Sequence, residues 1–166
     1  ARDESAPLPC AQANLTCTVT CNERGVLSLY SDCTEWAGTP EALTLRRADT
    51  WNLETGYPIT ASECFPRGTR VRALCLTAAR EQGRRQQESS LAVYHPDFSR
   101  RLRRNLNLRN FYLSEKGFHF FYQPWAIAPG FEGCPTFLLP FSDSETDAAG
   151  PLWPAGNPCN AEKSIV

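Results

Sequence analysis

Residues 110–141, NFYLSEKGFHFFYQPWAIAPGFEGCPTFLLPF, gather aromatic and aliphatic side chains between polar segments, and they restrict the fold more than any other stretch of the chain. Two short aromatic runs, 110–113 and 118–122, are separated by Ser114-Glu-Lys-Gly117, whose glycine supplies the positive φ a tight reversal needs. The pattern predicts a hairpin. After Tyr122, the residues Pro124, Pro129, Gly130 and Gly133 interrupt regular structure, and 136–141 reads as a third strand bounded by prolines. Two strands, a structured loop and another strand thus form a hydrophobic sheet carrying one unusual loop.

A chain of 166 residues suits a single core, and no compositional break demands a second. Residues 1–14 read as a poorly ordered polar leader, 15–143 as one domain, and 144–166 as an irregular tail pinned back by Trp153 and Cys159. A formal net charge of -1 with mixed signs argues against a nucleic-acid partner, which calls for a basic excess. No window is apolar enough to span a bilayer, although a membrane anchor upstream is compatible with the sequence.

The eight cysteines, Cys10, Cys17, Cys21, Cys33, Cys64, Cys75, Cys134 and Cys159, are even in number and contain no Cys-x-x-Cys pair. That disfavours a zinc ribbon or a thioredoxin-like site and favours a disulfide framework in an oxidising compartment, each bridge contributing roughly 2–4 kcal/mol. Methionine is absent even at position 1, as in a mature secreted chain, though a trimmed sequence looks the same.

Along the chain, 15–21 alternates so that Leu15, Cys17, Val19 and Cys21 share one strand face. Asn22-Glu-Arg-Gly25 is a turn, 26–30 the return strand, and Cys33 lies just beyond it. Asn14-Leu-Thr16 matches a glycosylation sequon, a triplet common by chance. Residues 41–53 form one long strand or a pair. Val71, Leu74, Cys75 and Ala78 follow the stripe of an amphipathic helix that ends at Gly83, and 97–106 forms a second helix with Asp97 as N-cap. The apolar stripe of that second helix is complete without Arg100, Arg101, Arg103 and Arg104, so these read as a solvated face rather than an anion site.

No Gly-x-Ser-x-Gly elbow, His-Glu-x-x-His motif or phosphate loop is present, and no cofactor or metal is expected. His95 falls in a loop. His119 alternates with Phe118 and Phe120 and projects to the opposite face, with no sequence-adjacent nucleophile. Glu54, Glu63, Glu115, Glu132 and Asp143 could act as paired carboxylates only by converging in the fold. There remains the loop 123–133, with Trp125, Ile127, Pro129, Gly130 and Phe131. It is either a lid over the domain's own core or a partner-binding surface, the lid reading suiting Trp125 and Ile127 better.

Asn110-Phe-Tyr-Leu-Ser, then Gly117-Phe-His-Phe-Phe-Tyr-Gln-Pro-Trp-Ala-Ile-Ala-Pro129, then Gly133 and Leu139-Pro-Phe141, resembles the C-terminal signature of the uncharacterised extracytoplasmic domain of anti-sigma factor V, the lysozyme receptor of some Gram-positive bacteria. A related arrangement accompanies certain peptidoglycan deacetylases. Upstream, Val26-Leu-Ser-Leu-Tyr30, Trp51-Asn-Leu-Glu-Thr-Gly56 and residues 59–65 are similar in order, so the resemblance covers about 15–143. Ala37-Gly-Thr-Pro40 stands where those relatives carry Gly-Gly-Ala-His. Pro124-Trp-Ala and Pro129-Gly-Phe stand where they carry Pro-Tyr-Glu and Pro-Tyr-Ala.

The resemblance implies an α+β fold, an antiparallel sheet with helices on one face, here expected to be disulfide-stabilised. It also implies a non-catalytic binding or sensing role outside the cytoplasm, in the periplasm or on the cell surface of a bacterium, with a protein such as lysozyme or a cell-wall component as partner. Trp125, Pro129, Gly130 and Phe131 are the expected partner-binding residues. The rivals are a cell-wall hydrolase or esterase whose carboxylates meet in three dimensions, and a purely structural envelope domain.

Overall fold

A computed structural model describes residues 12–36 and 42–141. Cys10, Ala37-Gly-Thr-Pro40, Asp143 and the tail with Trp153 and Cys159 lie outside the described residues. The elements are β1 (Gln12–Glu23), β2 (Val26–Trp36), β3 (Leu43–Asn52), α1 (Val71–Glu88), α2 (Phe98–Asn105), β4 (Phe111–Ser114), β5 (Gly117–Phe121) and β6 (Thr136–Pro140). They make an α+β fold with two antiparallel three-stranded sheets, β1-β2-β3 and β4-β5-β6, where one sheet was expected.

The first sheet is a long meander. Arg24 and Gly25 both take positive φ, +52° and +75°, as the tight reversal between β1 and β2 requires. Its register slips between Val19 and Cys21: Val19 pairs with Leu29, but Cys21 pairs with Ser28, leaving Thr20 as a bulge. The slip overturns the expected shared face. Leu15, Cys17 and Val19 stay on the exposed side, whereas Cys21 turns inward and is buried. β2 continues through Trp36, so Cys33 lies in mid-sheet abreast of Leu15 and Leu45 rather than beyond the strand. Residues 43–52 are one long strand.

In the second sheet, the predicted hairpin and third strand appear in the expected places. Phe111, Leu113, Phe118, Phe120 and Phe137 join Val71, Cys75, Phe98 and Leu102 of the helices in one buried cluster. Tyr112, His119 and Phe121 take the other side, where Tyr112 meets Tyr30 at 5.1 Å and stacks on His119 at 4.8 Å. The sheets are also joined by polar contacts. Ser28 Oγ shares a 2.8 Å hydrogen bond with Thr50 Oγ1 and accepts the backbone N–H of Leu113 at 2.8 Å, both within the buried interior.

α1 runs well past the expected stop at Gly83, which is buried inside it. A Cβ there would come within 2.4 Å of Phe98 Cζ, so the glycine allows α2 to cross closely rather than ending α1. Asp97 precedes α2 as expected but makes no side-chain cap; its carboxylate accepts Arg101 Nε–H at 2.6 Å. The C-terminus of α2 is closed instead by Arg72 of α1, which donates to the carbonyls of Leu106 and Arg103 at 3.1 and 2.6 Å.

None of the six described cysteines, Cys17, Cys21, Cys33, Cys64, Cys75 and Cys134, forms a disulfide with another. Cys64 and Cys75 serve as small apolar fillers of the core, and burial pushes both thiols up to about 12. Spacing alone could not separate that role from cross-linking.

A candidate binding surface on the loop 123–133

The loop is closed at its base, where Tyr122 N–H donates to the Pro135 carbonyl at 3.0 Å. Gln123 then lays its carboxamide along the free edge of β3. Its Oε1 accepts Arg46 N–H at 3.0 Å and its Nε2 donates to Arg46 O at 2.5 Å, a side chain pairing as a strand would. The Arg46 side chain is fixed by a bidentate pair with Asp32, both bonds at 2.7 Å, and lies 4.1 Å from the Tyr30 ring centroid.

Further along, Ile127 and Ala128 are buried in the core, and the Ile127 carbonyl accepts His95 N–H at 3.1 Å. Asn105 Nδ2 donates to Ala126 O at 2.8 Å, and Glu132 Oε1 accepts Val93 N–H at 2.8 Å. The loop is therefore tied to β3, α2 and the segment before α2. Cys134 at its far end is half-buried; burial raises its thiol to about 11 although the Arg46 guanidinium pulls the other way. It takes no disulfide with any described cysteine, and the loop is held instead by these hydrogen bonds and by Ile127.

Against this fixed backbone two large aromatics point outward. Trp125 is 51% exposed and Phe131 80% exposed. Trp125 sits at φ +67°, a left-handed backbone that costs a non-glycine residue roughly 1–2 kcal/mol. Its indole rests against Gly130, where a Cβ would lie 2.3 Å from the ring. Pro129 is half-buried and introduces the single turn Gly130–Glu132 that presents Phe131. Ile127 is thus the lid over the core, whereas Trp125, expected with Ile127 to fit the lid role better, is at the surface.

Two concavities meet at the indole. One, of about 230 Å³, is bordered by Ala42, Thr44, Pro124, Gly130 and Phe131. The other, of about 370 Å³, is walled by Arg100, Arg101, Arg104 and Asn105 of α2. Sequence reasoning reached neither Gln123 nor Asn105 as supports, nor the approach of α2 to the loop. These are long-range contacts between polar residues without periodic signature.

A third and larger concavity, about 620 Å³, lies between the bulged end of β1 and the β4–β5 turn. There His119 Nε2 and Ser114 Oγ share a 2.8 Å hydrogen bond, a partner that sequence adjacency did not reveal. Burial, with Lys116 nearby, lowers the imidazole's pKa. Ser114 Oγ also accepts Lys116 N–H at 3.1 Å and so helps form the turn. Among the described residues, no carboxylate hydrogen-bonds His119.

Of the described carboxylates, Glu54, Glu63 and Glu132 have separate contacts. Glu63 accepts both Thr60 N–H and Thr60 Oγ–H at 2.6 Å, which lowers its pKa, while Glu54 lies against Gly25 and Glu132 holds Val93. No group of three His, Cys, Asp or Glu among the described residues could hold a metal ion.

Residues 67–142 match the family described as "Protein of unknown function (DUF3298)". A crystal structure of a member of the DUF3298 family from Bacteroides fragilis superposes with a TM-score of 0.65 at 14% identity, over 96% of this chain and 60% of that one. A DUF3298 family protein from Pseudomonas aeruginosa PAO1 superposes with a TM-score of 0.55 at 13% identity, over 77% of this chain and 57% of that one. No curated protein matches. The chain spans about 60% of the length of these neighbours. It shares the DUF3298 fold, and its sequence match to that family runs from the turn before α1 to just past the end of β6.

Proposed function

We propose that this chain is a binding domain of the bacterial cell envelope that takes a protein partner through Trp125, Pro129, Gly130 and Phe131. The observation that carries the reading is the pairing of two exposed aromatics with a backbone fixed at every turn. Apolar surface of that size is costly to leave in water, and a loop already ordered loses little entropy on docking. Aromatic anchors of this kind dominate binding energy in protein interfaces. The resemblance of 110–141 to the anti-sigma factor V ectodomain supports an extracytoplasmic site and makes lysozyme the first partner to try.

Calorimetric titration with lysozymes and with peptidoglycan fragments tests this reading. Trp125→Ala and Phe131→Ala should each weaken a detected protein interaction tenfold or more, about 1.4 kcal/mol. An interaction indifferent to both substitutions removes the loop from the function.

The Ser114–His119 hydrogen bond favours a second reading, an esterase in the cleft beside β1. It requires turnover of an activated acyl ester that Ser114→Ala abolishes.

A further inference from the structure

The notch between α2 and the loop contains cations that the fold does not use. Arg101 is occupied: it pairs with Asp97, and its Nη1 lies 3.5 Å from the Trp125 carbonyl. Arg100 and Arg104 are one helical turn apart, line the same notch as the Trp125 indole, and have no acidic or carbonyl partner among the described residues. Their placement is unfavourable for the isolated helix. Like charges at i and i+4 repel by a few tenths of a kcal/mol. A cation near the C-terminus of a helix is favourable, which accounts for Arg104, but Arg100 stands in the first turn, where the dipole disfavours positive charge. Three guanidinium groups thus face one carboxylate, Asp97, in a concave site beside an indole that lowers the local polarity.

We infer that this notch receives a carboxylate side chain presented by the protein partner, held between Arg100 and Arg104 while Trp125 and Phe131 dock on the apolar surface beside it. The inference rests on the loop reading above and adds the chemistry of the partner. Guanidinium forks match carboxylates in bidentate geometry, and arginine with tryptophan is the composition of interface hot spots. A protein is favoured over an anionic polymer because Phe131 is 80% exposed beyond the notch: a chain of phosphates or sugars following the arginines would leave that ring in water, whereas a protein pocket can cover it.

The test is an NMR titration of the whole chain at low ionic strength with hexaglutamate, hexalysine and inorganic phosphate, following the arginine Nε–H and tryptophan indole signals. Hexaglutamate should give saturable shifts at Arg100, Arg104 and Trp125, with hexalysine giving none. Arg100→Glu with Arg104→Glu should weaken hexaglutamate at least tenfold, and Arg100→Ala with Arg104→Ala, folded by circular dichroism, should do the same. Shifts spread evenly over Arg67, Arg70, Arg84 and Arg85 would show unspecific screening and overturn the proposal. So would the absence of any shift, or saturation by phosphate as tight as by hexaglutamate, which would mark a polymer or free-anion site. Phe131→Ala separates the two readings: it should leave the hexaglutamate shifts intact while weakening the protein interaction. If that interaction survives both Phe131→Ala and Trp125→Ala but hexaglutamate still saturates the arginines, the loop reading fails and the anion site stands.

Discussion

Replacing Gly83 by alanine measures how closely the two helices cross. In an isolated helix the change is favourable by about 1 kcal/mol, because alanine restricts the unfolded chain and suits the helical backbone. Here the new methyl would lie 2.4 Å from Phe98 Cζ and 2.8 Å from Cε1, so ring or helix must move by more than an ångström to reach ordinary contact. Phe98 has little room, being buried and 4.3 Å from the Tyr94 ring centroid. Overpacking of that kind costs about 1–3 kcal/mol and can exceed it when aromatic rings are locked together. Subtracting the helical gain leaves a net destabilisation of up to about 2 kcal/mol, or a fall in Tm of up to about 4–8 °C for a chain of this size. Urea unfolding followed by far-UV circular dichroism gives the value directly. In a Phe98→Leu background the clash is relieved, and the same glycine substitution should become neutral or stabilising. A Gly83→Ala protein more stable than its parent, with no coupling to position 98, would refute the crossing as described.

Ser28→Ala should cost roughly 1–3 kcal/mol, because it leaves the buried Leu113 N–H without its acceptor. Faster hydrogen exchange at Leu113 is the local signature, and unchanged exchange together with unchanged stability would remove the bridge. His119 gives a pH dependence. Its folded pKa lies below the ordinary 6.5 through burial and then Lys116, so the unfolded chain takes up its proton first. Stability contributed by the neutral ring is intact above about pH 6.5 and is lost as pH falls through the folded pKa. His119→Asn should flatten that part of the urea-midpoint profile, whereas an NMR titration placing the ring above 6.5 would contradict the assignment.

The sequence was informative where period and turn chemistry were both present. The β4–β5 hairpin announces itself through Gly117 between two aromatic runs, and the helices through apolar stripes that bury Val71 and Cys75 on α1 and Phe98 and Leu102 on α2. It misled where one residue changes a register. Nothing in Leu-Thr-Cys-Thr-Val-Thr-Cys marks Thr20 as the bulge that sends Cys21 inward. Gly83 carried two meanings, helix stop or close crossing, and only the position of Phe98 decides between them. The cysteines were read for their chemistry, whereas at positions 64 and 75 their size and burial matter. At the loop, the sequence left Phe131 open between lid and surface, and exposure of Trp125 depends on a left-handed backbone and on Gly130 beneath the ring.

Gln123 has a consequence for how this molecule meets other chains. A carboxamide presents the same donor and acceptor as a peptide unit, so β3 ends against a surrogate strand one residue long, with Ile59 N–H and Tyr57 O serving Thr50 and Asn52 farther along. The first sheet is stoppered on that side. The stopper is also the first residue of the loop that carries Trp125, so whatever pulls the loop away from β3 unseals a β-edge, and whatever clamps the loop keeps it sealed. The setting of the aromatic surface and the cover over Arg46 on the β3 edge thereby share one side chain.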